Sequence, residues 1–196
     1  MKLDDPGLEN DIVRLEILTE DDRRLIEASG IDPDMWSWMP VIATGTNLHT
    51  YFDEVQRARQ DGSMVPFKIY RKSDNAFAGT VGFVDVSRTH RRLRIGYLWH
   101  PEEMRGTIVG PATQLAMLER ALASCILRVE YANAEGNERA IRFAEKLGAR
   151  REGVLRNYAR VATGTWADVV LLSLVDAEIE GAIAMLKDRV RTLQKA

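Results

Sequence analysis

Apolar and polar residues alternate along Val13-Arg14-Leu15-Glu16-Ile17, which predicts a half-buried strand. Thr19 followed by Glu20, Asp21 and Asp22 predicts a helix start, because acids favour the positive end of the helix dipole; the helix runs to about Ser29. Residues 51–61 predict a second helix, stopped at Gly62. Strands follow from Phe67, over 77–86 and over 93–99, joined by short polar turns such as Ser73-Asp74-Asn75, as in an antiparallel meander. A long helix places Leu115, Leu118, Leu122 and Cys125 on one apolar face. Residues 127–131 predict another strand, Asn137 caps a helix ended by Gly148, and Val154-Leu155 begins a further strand. Residues 168–175 are almost wholly apolar, as expected of an interior strand. The element order predicts an α+β (mixed α/β) domain over 11–178, with a central, mostly antiparallel sheet and flanking helices.

The two ends and one internal segment stand apart. Residues 1–10, with the breaker Pro6-Gly7, predict a flexible tail. Residues 31–50 carry Trp36, Trp38 and Met39 between Pro33 and Pro40, and predict either a loop that touches a ligand or a hydrophobic flap. In the C-terminal helix, residues 179–196, apolar residues at 179, 183, 186, 190 and 193 form a heptad-like seam. That seam fits a helix lying on its own domain or a homodimer contact.

Composition narrows the chemistry. The 27 basic and 29 acidic residues among 196 give a net charge of −2, against a dedicated nucleic-acid or membrane-surface protein. The single cysteine excludes an internal disulfide and cysteine-based zinc clusters, and the three histidines lack metal-ligand spacing, so no metal is expected. A polar, acidic start without a signal peptide and the lack of a long apolar run predict a cytoplasmic protein.

The informative stretch runs from Ile95-Gly96-Tyr97-Leu98-Trp99-His100-Pro101 into Arg105-Gly106-Thr107-Ile108-Val109-Gly110-Pro111. A glycine-bearing loop feeding a helix start offers backbone N–H groups at the positive end of the dipole, a site for phosphate or pyrophosphate. Arg105 adds a charge. The loop lacks both the Gly-Lys-Ser/Thr ending of a nucleoside-triphosphate loop and the three-glycine dinucleotide fingerprint.

These motifs, with Asn137-Glu138-Arg139-Ala140-Ile141-Arg142-Phe143 leading to Lys146-Leu147-Gly148 and Glu152-Gly153-Val154-Leu155-Arg156 followed by Gly164 and Asp168, resemble the GNAT superfamily of acetyl-CoA-dependent N-acetyltransferases, and within it the RimJ/RimL-type branch. The resemblance covers about residues 11–176. It implies two splayed strands, 93–99 and 127–131, whose orphaned backbone groups bind the pantetheine arm of acetyl-CoA like an added strand. It further implies a pyrophosphate on the N–H groups of Arg105, Gly106, Thr107, Ile108, Val109 and Gly110, with Asn137 holding the arm and Phe143 on the adjoining helix. A backbone N–H near Leu98 or Trp99 would stabilise the oxyanion, and a small-molecule or peptide amine would be the acceptor.

Three positions depart from the family pattern. Ile108 stands where glycine is usual, which predicts strain if φ there is positive. Ala140 and Ala144 replace residues that supply a proton to the departing thiolate in relatives. No base declares itself: Asp85 and Glu130 are candidates, directly or through water, with ordinary surface carboxylates as the alternative. Tyr158 and Tyr131 are candidate acids, or else buried aromatics. His100 is expected to contact phosphate or solvent, Cys125 to be inert core, and Arg88 to Arg94 to form a solvated hairpin tip. The rival reading is a non-catalytic acyl-CoA-binding or dimeric interaction module on the same fold.

Overall fold

The computed structural model describes residues 2–29, 38, 47–161 and 164–195. The expected loop 31–50 therefore lies outside the described residues except for Trp38 and residues 47–50. Eight strands form one sheet: β1 (Leu8–Glu9), β2 (Val13–Ile17), β3 (Met64–Arg71), β4 (Ala76–Ser87), β5 (Arg92–Trp99), β6 (Arg128–Ala134), β7 (Arg150–Arg160) and β8 (Trp166–Val175). Their order is β1-β2-β3-β4-β5-β6-β8-β7, antiparallel except at β5–β6. The helices are α1 (Arg23–Ala28), α2 (Asn47–Gln60), α3 (Val109–Ala123), α4 (Glu138–Lys146) and α5 (Ala177–Gln194).

Two cores sandwich the sheet. Val13 and Leu15 of β2, Phe67 and Ile69 of β3, Leu93 and Ile95 of β5, and Val170, Leu172 and Leu174 of β8 pack with α3, α4 and α5. Alternate residues point the other way, so Met64, Val84 and Trp99 meet Ile26 of α1 and Tyr51, Phe52 and Val55 of α2. Asp22 ends a 3-10 turn at the start of α1 and accepts hydrogen bonds from the Thr19 N–H (2.8 Å) and hydroxyl (2.9 Å), which accounts for the helix-start signature.

The first ten residues do not form a loose tail. Leu3 and Leu8 are buried, and β1 pairs with β2. The buried guanidinium of Arg120, on α3, donates to the carbonyls of Asp5 (2.5 Å), Lys2 (3.3 Å), Leu3 (3.4 Å) and Pro6 (3.4 Å). These bonds lie more than a hundred residues apart in sequence, which local pattern cannot report.

The C-terminal seam lies on its own domain. Ile179, Ile183, Leu186 and Val190 are buried in the core shared with α3, and Lys187 pairs with Glu119 at 2.8 Å. Each such side chain contributes roughly 1.5–3 kcal/mol by burial. Only Leu193 of the seam remains exposed, so the seam is not free to join a second chain. Cys125 also departs from expectation. α3 ends at Ala123 and is capped by Ser124; Cys125 follows with φ +60° and is exposed, its carbonyl accepting from Arg91 Nε at 2.7 Å.

Candidate functional site

β5 and β6 pair over only three registers, Arg92 with Arg128, Leu93 with Val129 and Arg94 with Glu130. Beyond these, β5 stays bonded to β4 as far as Trp99, and β6 stays bonded to β8 as far as Ala134. The facing edges of residues 95–99 and 131–134 thus have no strand partner: the two strands form a fork. Its cause is a bulge in β5. Gly82 pairs with Gly96 but Thr80 with Trp99, so β5 holds one extra residue, and Tyr97 sits there at φ +54°. A bulge bends its strand and raises the local twist, here turning β5 away from β6. The Thr80 hydroxyl pins the bulge by donating to the Tyr97 carbonyl at 3.2 Å.

At the mouth of the fork, a 3-10 turn (Glu102–Met104) leads through Gly106, at φ +72°, into α3. Thr107 Oγ donates to the Met104 carbonyl at 2.7 Å and accepts from the Val109 N–H at 3.3 Å. The Arg105 N–H is likewise engaged, by the Glu102 carbonyl at 3.1 Å. The loop N–H groups left to receive an anion at the helix start are therefore those of Gly106, Thr107, Ile108 and Gly110, a smaller set than the whole run 105–110. Ile108 has φ −63° and ψ −21°. The left-handed residue is Gly106, so the strain expected at Ile108 does not arise, and its side chain packs against the core instead.

His100 supports the loop from behind. It is half-buried, its Nδ1 lies 2.6 Å from the Ala78 carbonyl, and its Nε2 faces Gly110 of α3. Burial holds its pKa below the ordinary value, and the charges of Arg105 and Arg139 act in the same direction. It is a neutral wedge, neither solvent-exposed nor a cation for phosphate. Its carbonyl accepts from Arg105 Nε at 2.9 Å, anchoring that side chain at the loop. Leu98 and Trp99 send their side chains into the two different cores, so they have only backbone to offer at the fork.

On the far side of the fork, Asn137 caps α4: its side-chain oxygen accepts from the Ala140 N–H at 3.2 Å. The amide Nδ2 is left to donate outward. Phe143, nearly two turns on, is half-buried against the core. Replacing Asn137 by serine keeps a capping oxygen but removes that donor. The expected result is a melting temperature close to that of the unaltered chain, with coenzyme A binding weakened several-fold by the loss of about 1 kcal/mol of hydrogen bonding. Calorimetry checks it, and unchanged affinity would exclude Asn137 from the site.

The candidate acids and bases fare differently. Asp85 lies at a second bulge (φ +51°) and is 2.8 Å from the Arg94 guanidinium. Glu130 is buried, 2.7 Å from Arg128 Nε, with Arg94 and Arg92 at 3.8 and 3.9 Å. Both stand at the closed end of the fork, engaged by arginines, rather than along its unpaired edges where a base would face the acceptor. Asp85 is a surface carboxylate, its side chain 53% exposed, whereas Glu130 is buried. The turn 88–91 is the exposed hairpin tip expected, and of that run only Arg92 and Arg94 reach back to these acids. Tyr158 is half exposed on the edge strand β7, away from the fork. Tyr131 is buried and donates to Gln114 Oε1 of α3 at 3.2 Å, and burial raises its pKa.

The bulged residue of the fork is Tyr97, which was not among the candidate acids; its phenol packs with the second core. Its ring packs near Tyr51, with centroids 6.1 Å apart. Burial, with the charges of Glu54 and Asp85, pushes its pKa up to about 12. The only local signal was a glycine, Gly96, beside a tyrosine in an otherwise regular strand. Among the described residues no group of three or more His, Cys, Asp or Glu could hold a metal ion, and no helix is long and apolar enough to cross a membrane.

The fold as a whole has counterparts among known proteins. The chain is 26% identical over 175 residues to the uncharacterized N-acetyltransferase YoaA of Bacillus subtilis (strain 168), covering 87% of this chain and 97% of that one. The fold is shared with a GCN5-related N-acetyltransferase from Brucella melitensis (TM-score 0.81, 20% identity, 93% of this chain and 84% of that one). It is also shared with Mycobacterium smegmatis RimJ in complex with CoA-disulfide (TM-score 0.71, 20% identity, 88% of each chain). A third structure is the spermidine N-acetyltransferase of Vibrio cholerae in complex with CoA and spermine (TM-score 0.71, 16% identity, 87% of this chain and 99% of that one). Residues 13–150 match the acetyltransferase (GNAT) domain, and the chain belongs to that family of acetyltransferases.

Proposed function

We propose that this acetyltransferase moves acetyl from acetyl-CoA to a primary amine, on a small molecule or a peptide, by direct attack in a ternary complex. The observation that carries the reading is the fork between β5 and β6, with unpaired backbone edges on both sides and the N-terminus of α3 at its mouth. The residues fit the cofactor. Extended edges suit the amides of a pantetheine arm, four loop N–H groups and Arg105 suit a pyrophosphate, and the Asn137 amide suits an arm carbonyl. When bound, acetyl-CoA supplies the activated acyl group. The chain's own part is to hold that group still and to direct the Leu98 or Trp99 N–H at the oxygen where negative charge develops. Ala140 and Ala144 can hold no proton, so the thiolate takes its proton from the Tyr97 phenol or from water. With its pKa pushed up to about 12 the phenol stays protonated at neutral pH but is a weaker acid than a free tyrosine, which makes water the readier donor.

The RimJ/RimL-type assignment draws support from the shared fold with RimJ, and the spermidine enzyme keeps a polyamine acceptor within the reading. A cytoplasmic protein without nucleic-acid or membrane partners accords with the near-neutral charge. A homodimer, if formed, uses a surface other than the α5 seam. The test is release of free thiol from acetyl-CoA across a panel of amines that includes spermidine and an alanine-terminated peptide. Amine-dependent release is expected. Binding of acetyl-CoA without release for any amine would favour the interaction-module reading, to which the two alanines already lean.

A further inference from the structure

Gly136 lies between the end of β6 and Asn137, and its φ is not in the left-handed region, so the backbone does not itself require glycine there. What lies over it is an aromatic ring. A Cβ on Gly136 would stand 2.7 Å from Cη2 and 3.0 Å from Cζ3 of Trp38, so a side chain there would make the indole shift from its place on this backbone. Trp38 falls in sequence between α1 and α2, which pack on the sheet face opposite α3. At the C-terminal ends of β5 and β6, then, the 105–110 loop follows β5, and an indole lies on the turn that follows β6. That indole is still 42% exposed, an uncovered aromatic surface one residue from the Asn137 cap.

We infer that Trp38 is the aromatic wall of the fork and packs against the pantetheine arm of coenzyme A. This rests on the cofactor reading above. The arm alternates amides with apolar carbons, including a pair of methyl groups. Its amides match the bare strand edges and Asn137, and its methyl-bearing carbons match an exposed indole, which gains from each apolar contact that removes water. The Gly136–Trp38 contact sets where that ring stands.

Two ligands separate this inference from the cofactor reading: coenzyme A, and adenosine 3′,5′-bisphosphate, which carries no pantetheine arm. Both are titrated calorimetrically into the unaltered chain and into Trp38→Ala, Trp38→Phe and Gly136→Ala. Trp38→Ala is expected to weaken coenzyme A about tenfold and leave the bisphosphate unchanged. Trp38→Phe retains most of the coenzyme A affinity. Gly136→Ala, which pushes the indole away without removing it, weakens coenzyme A in the same direction. Equal weakening of both ligands, or unchanged coenzyme A affinity in Trp38→Ala and Gly136→Ala, overturns the inference. Failure of the unaltered chain to bind coenzyme A at all overturns the cofactor reading itself.

Discussion

Gly79→Ala is expected to destabilise the protein by about 4 kcal/mol or more, among the largest effects of a single methyl group. Gly79 has φ +118°, and a Cβ there would stand 1.8 Å from the Trp99 carbonyl oxygen and 2.8 Å from its carbon. Neither atom can rotate away, since both are backbone. The strand β4 would have to separate from β5 where the fork opens and where His100 reaches Ala78. For a chain of this size the melting temperature should fall by on the order of 8–16 °C, or the variant should fail to accumulate as folded protein. Gly106→Ala is the control. Its φ of +72° is also left-handed, but nothing lies within 4 Å, so only the conformational cost of roughly 1–2 kcal/mol applies. Equal, small shifts for the two variants would refute the close approach at Gly79.

Arg128→Met should cost about 3 kcal/mol, through what it leaves behind. The Arg128 guanidinium holds Glu130 through Nε (2.7 Å) and Glu152 through two parallel bonds (2.7 and 2.5 Å), and Ser173 donates to Glu152 at 2.5 Å. Removing it strands the buried Glu130 with Arg94 and Arg92 at 3.8 and 3.9 Å. The double variant Arg128→Met/Glu130→Gln should recover much of the loss, because the stranded charge is then gone. A double variant no more stable than the single one would mean that lost packing, not the stranded charge, sets the cost.

The same group sets an acid response. Arg128 and Ser173 hold the Glu152 carboxyl at about 2, against an ordinary 4.5. A depressed folded-state pKa contributes stability above the unfolded value and loses it as pH falls through the folded one, so this contribution disappears between about pH 4.5 and 2. In Arg128→Met the Glu152 titration should move back toward the ordinary carboxylate range.

Much of this architecture is written locally. Val13 and Leu15 alternate with Arg14 and Glu16, Asn137 caps its helix, and the apolar run of β8 belongs to an interior strand, all features decided by near neighbours. The fork was legible only through family motifs, because the bulge at Tyr97 that opens it has no reliable local signature. The expected trouble at Ile108 came from reading a glycine pattern by position. The chain moves its left-handed residue to Gly106 and starts the helix at an ordinary φ.

What stayed hidden depends on partners distant in sequence. The Arg120 clamp joins α3 to the first turn of the chain, and Glu130 of β6 meets Arg92 and Arg94 of the neighbouring strand β5. Trp38 explains Gly136 although the two are nearly a hundred residues apart. Asp85 and Glu130 were chosen for being acidic and near the splay. Their partners Arg92 and Arg94 on β5 are set by register rather than by sequence proximity.

The central claim is that the β5–β6 fork and the α3 N-terminus together bind coenzyme A. Calorimetric titration of the unaltered chain with coenzyme A tests it most directly. The account predicts saturable binding at one site per chain, weakened by Asn137→Ser at unchanged melting temperature. No heat of binding and no thermal stabilisation at millimolar coenzyme A would contradict it.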